Sequence, residues 1–559
     1  MTVLENVRKI DFITNLIAAL WGLPTYKMAF QNAMSGDIKS SNLPNGLVYN
    51  EKGAISHSTT SDARLDYFAK VLRDSSHEQI VGILTNSWVL SPLDTMKLIA
   101  QKRDCRGGSG ERKVFYESIR WVVSDYPDVA KNIMPLIPNY GTWKDGFFCF
   151  CDTSLESDWL QMVGNQLKID HSILNEADSD NKDSDENKKR RSVSLCAKWT
   201  PSEGSSIDRK FKGLYDRLVK VMGLPVNNQG RMEFRKKYLA PLREYIGVVE
   251  CLMCGKQWSQ IVYKNVPSVA MNRLRKAFKK NDQDRFAAYL DDVSKGKQKI
   301  NSGQLFPHDM VKHYMRHNEE IDQVIEEQWK AYVKKIQELG ELERAVVVSD
   351  VSGSMSSNNG LPLQVSIALG LLIASVAKGP FKGNVITFHE SPSFYKVDTA
   401  SSLYSQVRRL QVAPWGGTTN FQSVFDLILR KGQEYKLKQE DMPKTVVVIS
   451  DMQFDQADGG YSSHTNQGNC NFFTNYETIK AKFRKAGYDT PKIVFWNVSG
   501  RTEDFPVTKD EYGTALVSGF SPCHLKYLTT GEITSPYALM RETIDSERYQ
   551  PVTVPEKYM

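Results

Sequence analysis

Apolar residues recur at three- and four-residue steps through the first half of the chain, which is the spacing of one helix face. Leu65, Phe68 and Leu72 open the pattern, Ile80, Ile83 and Leu84 repeat it, and Val114, Phe115, Ile119, Trp121 and Val122 carry it on. Ser91-Pro92 predicts a helix start, because proline suits the first helical position, and Met96, Leu98 and Ile99 give that helix an apolar side. The last such stretch runs through Ile321, Val324, Ile325, Trp329, Tyr332 and Ile336. Near the start, residues 12–21 read as an amphipathic helix rather than a signal peptide, since Asp11, Thr14 and Asn15 break the apolar run. The text then turns polar as far as residue 60.

The period changes near residue 345. Val346, Val347 and Val348 form a short β-branched run of the kind found in strands covered on both faces. A helix over 363–377, a strand over 385–388, helices near 403–410 and 421–429, and strands over 446–449, 493–498 and 515–518 are predicted after it. Strands alternating with helices of this length argue a parallel sheet with right-handed crossovers. The chain therefore reads as multidomain, with an α-helical region over residues 1–340 and an α/β, Rossmann-like domain over 341–559.

Composition adds boundaries. At 559 residues the chain exceeds one hydrophobic core. Its 41% hydrophobic and 25% charged residues are those of a soluble globular protein. No apolar run approaches the roughly 20 residues of a membrane helix. The eight cysteines are scattered and read as reduced thiols, which places the chain in the cytoplasm. Cys251 and Cys254 form the single CxxC, and with no second pair nearby they read as half-buried helix residues, not a zinc site. Residues 175–191, acidic then basic and without aromatics, read as a disordered insertion. Its end, Lys188-Lys189-Arg190-Arg191, leaves a nuclear location open.

Charge is uneven. Residues 196–300 hold 22 lysines and arginines against 10 acids, a net of +12, while the whole chain carries +7 and the remainder therefore −5. Arg231, Arg235, Lys236, Lys237, Arg273, Arg275, Lys276, Lys279 and Lys280 lie in helical segments interleaved with Phe234, Tyr238, Tyr263 and Phe278. Such a pattern is the electrostatic footprint of a nucleic-acid binder, RNA before DNA because no DNA-reading motif is present. The alternative is a solvated helix face. A second basic feature is the loop Arg103-Asp104-Cys105-Arg106-Gly107-Gly108-Ser109-Gly110-Glu111-Arg112. It reads either as a turn between helices or as an anion-binding loop, and it lacks the Gly-Lys-Ser/Thr ending of a P-loop.

The candidate chemistry sits after the valine run. Asp350, Ser352 and Ser354 alternate beyond a strand's carboxyl end, where open α/β sheets bind ligands. Oxygen-only donors suit Mg²⁺ or Mn²⁺. Capping of the next helix is the competing use of the same residues. A phosphatase of the haloacid-dehalogenase kind would place a second aspartate where Ser352 stands, and neither a G-x-S-x-G elbow nor a Walker A is present, so the reading is non-enzymatic.

Asp350-x-Ser352-x-Ser354, the loop Gly416-Gly417-Thr418-Thr419, and Asp451 at the end of a later strand together resemble the metal-ion-dependent adhesion site of a von Willebrand factor A domain. The resemblance implies that Ser352 and Ser354 bind the ion directly. Asp350 and Asp451 would act directly or through water, one threonine (Thr419, with Thr418 the alternative) would complete the set, and a protein partner's carboxylate would fill the open position. The glycine loop above, Trp143-Lys144-Asp145, Ala197-Lys198-Trp199, Val266-Pro267-Ser268-Val269-Ala270-Met271, Ser450 to Asp455 and Val494-Phe495-Trp496-Asn497 are similar to a family of plants and large DNA viruses. That family is itself similar to the TROVE/Ro ribonucleoproteins. It implies HEAT-like helical repeats in a ring that binds RNA, a carboxyl-terminal A domain that closes the ring, and, for a viral member, packaging in the virion.

Overall fold

A hairpin opens the described part of the computed structural model, which covers residues 43–179, 192–316, 320–340, 342–388, 392–411, 419–455, 474–502, 504–530 and 533–559. Its strands β1 (Leu47–Tyr49) and β2 (Ile55–His57) pair antiparallel. The amino-terminal helix expected over 12–21, the basic run at 188–191 and Thr418 lie outside the described residues.

Helices α1 (Ala63–Lys70), α2 (His77–Leu90), α3 (Pro92–Arg103), α4 (Lys113–Asp125) and α5 (Trp143–Phe150) follow. Their starts are chemically marked. Ser76 and Gln79 form a reciprocal capping box on α2, Ser91 accepts from the Asp94 amide ahead of Pro92 on α3, and Thr142 with Asp145 boxes α5. Helix α6 (Glu156–Ser179) continues through residues 175–179, so the first part of the expected disordered insertion is helical. The polar composition misled there because a long helix can project one solvated end. Cys251 and Cys254 are exposed on a short helix, not half-buried, since the two apolar residues between them take the inward side.

Helices α7 (Ser268–Asn281) and α8 (Gln283–Ser294) enclose a small hydrophobic core of their own around Tyr263, Phe278 and Phe286. Helix α9 (Gln323–Gln337) joins it to the main core, presenting Val324 to the small one and Ile325 to the large one.

The sheet follows: β3 (Ala345–Ser349), α10 (Ser357–Val376), β4 (Asn384–Thr387), β5 (Phe394–Lys396), α11 (Leu403–Gln411), α12 (Phe421–Glu434), β6 (Thr445–Ser450), α13 (Asn475–Ala486), β7 (Lys492–Asn497), β8 (Thr514–Ser518) and α14 (Pro536–Ile544). The strand order is β8-β7-β6-β3-β4-β5, parallel except for the edge strand β5. β5 escaped sequence reading because it is three half-exposed residues with no apolar run. Helix α10 is long and apolar enough to cross a membrane, yet from Leu363 to Val376 it is buried, so it is the core helix of the sheet.

The two halves share one core. Helix α1 packs on β8, and α14 packs on β8, α1 and α3. Two buried histidines stand at this seam. The His524 ring meets Phe68 and Trp496 edge-on, and His308 stacks on Phe306 and meets Phe520. Burial pushes both imidazoles down to about 3. Lys102 and Lys526 add to the effect at His524; at His308 Arg73 and Lys312 add to it while Asp309 opposes. An unfolded histidine takes its proton near 6.5, so between that value and about 3 the unfolded chain binds protons the folded chain refuses, and stability falls as pH falls. Each histidine contributes at most about 1.4 kcal/mol per pH unit. Urea midpoints near neutral pH and about two units lower should differ less for His524→Phe than for the unaltered protein. An equal difference would refute the assignment.

Candidate metal centre and basic surface

The valine-rich strands β3 and β6 lie side by side at the middle of the sheet, and the chain leaves them toward opposite edges. Divergence at that point opens a crevice beyond their carboxyl ends. Asp350 is the first residue past β3 and Asp451 the first past β6, so the strand register brings one carboxylate from each strand to the same place. Asp350 is wholly buried. Its carboxylate accepts from the Ser352 amide at 2.9 Å and the Ser450 hydroxyl at 2.6 Å. Burial and the Asp451 charge push its pKa up to about 6, the two hydrogen bonds pulling the other way. Ser352 and Ser354 place their hydroxyl oxygens 3.1 Å apart. Neither caps the 3-10 turn Gly353–Ser356, so helix capping does not account for them.

Thr419 is held from the β6 side. Its hydroxyl donates to the Gln453 carbonyl at 2.7 Å and its amide to Asp455 at 2.8 Å, while the Gln453 amide reaches Asp451 at 3.3 Å. Asp350, Ser352 and Ser354 thus share one loop, while Thr419 and Asp451 are both bonded to Gln453 of the loop after β6. Two buried carboxylates converge at the crevice, and no basic side chain lies within ion-pair distance of Asp350 or Asp451 among the described residues. A hard divalent cation fits that donor set, since it would neutralise both acids.

Sequence reasoning missed the hairpin that reaches this site. Asn50 donates to the Phe454 carbonyl at 2.7 Å, the Glu51 amide to Gln453 at 3.0 Å, and Gly53 bridges to Asp455. The tip brings the Lys52 ammonium onto the Thr419 hydroxyl and to 3.8 Å from Asp455. No local signal marks Lys52, which sits some 400 residues from its partners.

The nine basic residues expected at the RNA surface divide into two groups. Arg231 is engaged by Asp216 and Glu203, Arg273 by Glu250 at 3.0 Å, and Arg275 by Asp322 at 2.6 Å. Arg235, Lys236, Lys237, Lys276, Lys279 and Lys280 are exposed, with no ion-pair partner among the described residues. In the glycine loop Arg103, Asp104 and Arg106 are engaged within the structure, and among the described residues Arg112 at its end is not. Arg103 pairs with Asp145 and Asp104 with Arg548, Arg106 donates to the carbonyls of Asn139 and Gly141, and a Cβ on Gly108 would strike the Gln101 carbonyl.

Comparison with known proteins follows the same outline. Residues 344–557 match a domain of unknown function, DUF7788, and residues 50–147 and 225–342 match another, DUF2828. The uncharacterized protein L728 of Acanthamoeba polyphaga mimivirus is 30% identical over 532 residues, covering 91% of this chain and 89% of its own length. The Deinococcus radiodurans RO (RSR) crystal structure shares 14% identity at a TM-score of 0.36, over 84% of this chain and 91% of that one.

Arg275 and Lys279 test the division of the basic residues. Arg275 is 13% exposed and its partner Asp322 also caps α9, accepting from the Val324 amide at 3.1 Å. Arg275→Ala should lower the unfolding free energy by about 1–3 kcal/mol, and Lys279→Ala should change it by no more than about 0.5 kcal/mol, in denaturant titrations.

Proposed function

The chain belongs to one family with the mimivirus protein L728, and on that footing we propose that it is a non-enzymatic docking protein whose sheet holds a divalent cation for an acidic partner group. The observation that carries this reading is the meeting of Asp350 and Asp451, buried at the switch point of the sheet beside the paired hydroxyls of Ser352 and Ser354. Mg²⁺ or Mn²⁺ would be held by these four residues and Thr419. Bound there, the ion supplies a fixed positive charge with an open coordination position for a carboxylate from a protein partner. Ser354 is exposed, so the paired hydroxyls can be reached from solvent. Ser352 stands where a phosphatase would need a second acid, and a hydroxyl does not serve as a general acid/base there.

A second reading is favoured by the six exposed cations on the 234–239 and α7 segments: RNA held along the helical half. Those charges are left to solvent while neighbouring arginines are spent on acids, which is the arrangement phosphate contacts require.

Two measurements separate the readings. Calorimetric titration with Mg²⁺ should show affinity lowered by about 10-fold or more in Asp350→Ala, since even outer partners of a metal are worth that much, and raised in Lys52→Met, which removes a competing charge from Thr419. Equal heats in the unaltered protein and Asp350→Ala would end the metal reading. For RNA, the slope of log affinity against log salt should fall by about 2 when Lys276, Lys279 and Lys280 are changed to glutamate, because each single-strand phosphate contact contributes about 0.7. An unchanged slope would remove the patch.

A further inference from the structure

A cavity of about 630 Å³ lies along one face of α4, away from the metal loops. Arg112, Lys113 and Arg120 line it from α4, Phe148 closes it at the end of α5, and Lys210 with Phe211 forms the facing wall. The volume matches a small-molecule site and exceeds the needs of a lone inorganic ion.

Its charges do not cancel. The acids at the rim are already engaged: Glu117 lies 3.8 Å from Lys113 and 3.5 Å from His77, and Asp152 lies 3.5 Å from Arg217. Arg120 spends its guanidinium on two neutral carbonyls, those of Phe148 at 2.9 Å and Cys151 at 2.8 Å. Arg112 and Lys210 have no acidic partner among the described residues. Lys144 adds a further charge nearby, with its ammonium 5.6 Å from the Phe148 ring; besides its burial, Arg112 and Arg273 repel it while Asp145 attracts it. The cations also gather where α4 begins, and that helix end carries no capping side chain. Cations crowded at the positive end of a helix repel it and one another, a cost that a bound anion would remove.

The floor is aromatic. Tyr116 stacks on Phe148 at 5.0 Å, Phe211 meets that ring edge-on, and Lys210 lies 4.8 Å from it. An anion bearing a flat apolar body fits both features, and a sugar-linked phosphate without a base would leave the aromatic wall unused. We propose that the cavity bounded by Arg112, Arg120, Phe148 and Lys210 binds a nucleotide, with its phosphate among the cations and its base against the aromatic wall. The nucleotide is either free or one unit of an RNA strand. The site uses none of the metal residues and none of the nine residues of the basic surface.

The test uses the full chain, with adenosine monophosphate, inorganic phosphate and oligouridylate as probes in separate titrations. Adenosine monophosphate should bind more tightly than inorganic phosphate. Arg112→Gln with Lys210→Gln should weaken it about 10-fold or more, while Lys438→Gln in the sheet domain leaves it unchanged. Binding of oligouridylate alone, weakened by the same pair of changes, would support the site with a polynucleotide as the source. Binding of neither nucleotide probe, or an affinity indifferent to the pair, would overturn it. Photolabelling of the unaltered protein with azidoadenosine monophosphate gives a readout independent of the variants. Label should fall on the peptides carrying Tyr116, Phe148 or Phe211, and label elsewhere would refute the assignment.

Discussion

Lys102, Arg103 and Asp104 are three consecutive charged residues with 0%, 1% and 0% exposure, and the two halves of the molecule are joined through them. Charges so deeply placed persist only when each is fully partnered, because desolvation otherwise exceeds any gain. Each finds its partner in a different direction. The Lys102 ammonium donates to the Phe68 and Val71 carbonyls of the first helix and to the Ser518 hydroxyl at the end of β8. Burial pushes its pKa down to about 7, and the Glu111 charge opposes that shift. Arg103 turns to Asp145 of α5, and Asp104 receives Arg548 and Tyr549 from the last residues of the chain. One short segment therefore fixes helix to helix, helix to sheet, and chain end to chain start.

That junction decides what surrounds the metal loops. With the last strand of the sheet held against α1, the segment just before α1 must run past the sheet's carboxyl end. β2 reaches the edge of the sheet domain through the His57–Phe505 bridge, and the β1–β2 tip then falls on residues 453–455. The placing of Lys52 at Thr419 thus goes with how the halves are joined and with the hairpin's own bonds to residues 453–455. One side of the candidate metal loops is covered by the chain itself.

The fold was legible where periodicity was strong. The valine runs of β3 and β6, the alternating strands and helices after residue 345, and the starts at Ser91-Pro92 and Trp143 all announce themselves locally. The candidate metal residues Asp350 and Asp451 were legible for the same reason, since each stands one serine beyond an apolar run. Other features depend on tertiary placement and leave no such trace. Arg275 and Lys279 are both cations on one helix, and only the position of Asp322 makes one a core ion pair and leaves the other exposed. The glycine loop read as a turn or as an anion cradle because the partners of Arg103 and Asp104, namely Asp145 and Arg548, lie 42 and 444 residues away.

The molecule's cations sort by this logic into spent and unspent. The first group closes the structure: Arg64 and Arg541 converge on Asp94, Arg73 grips Glu111, and Arg548 holds Asp104. Their charge is cancelled over a few ångströms and gives no field outside. The second group, Arg112, Lys210, Arg235, Lys236, Lys237, Lys276, Lys279 and Lys280, has no ion-pair partner among the described residues, and its field extends into solvent to about a Debye length, near 8–10 Å. Stability does not explain the second group, because exposed lysines contribute little to it and crowded ones subtract. The surplus of +12 over residues 196–300, in a chain whose other residues sum to −5, is therefore not explained by the ion pairs that close the structure.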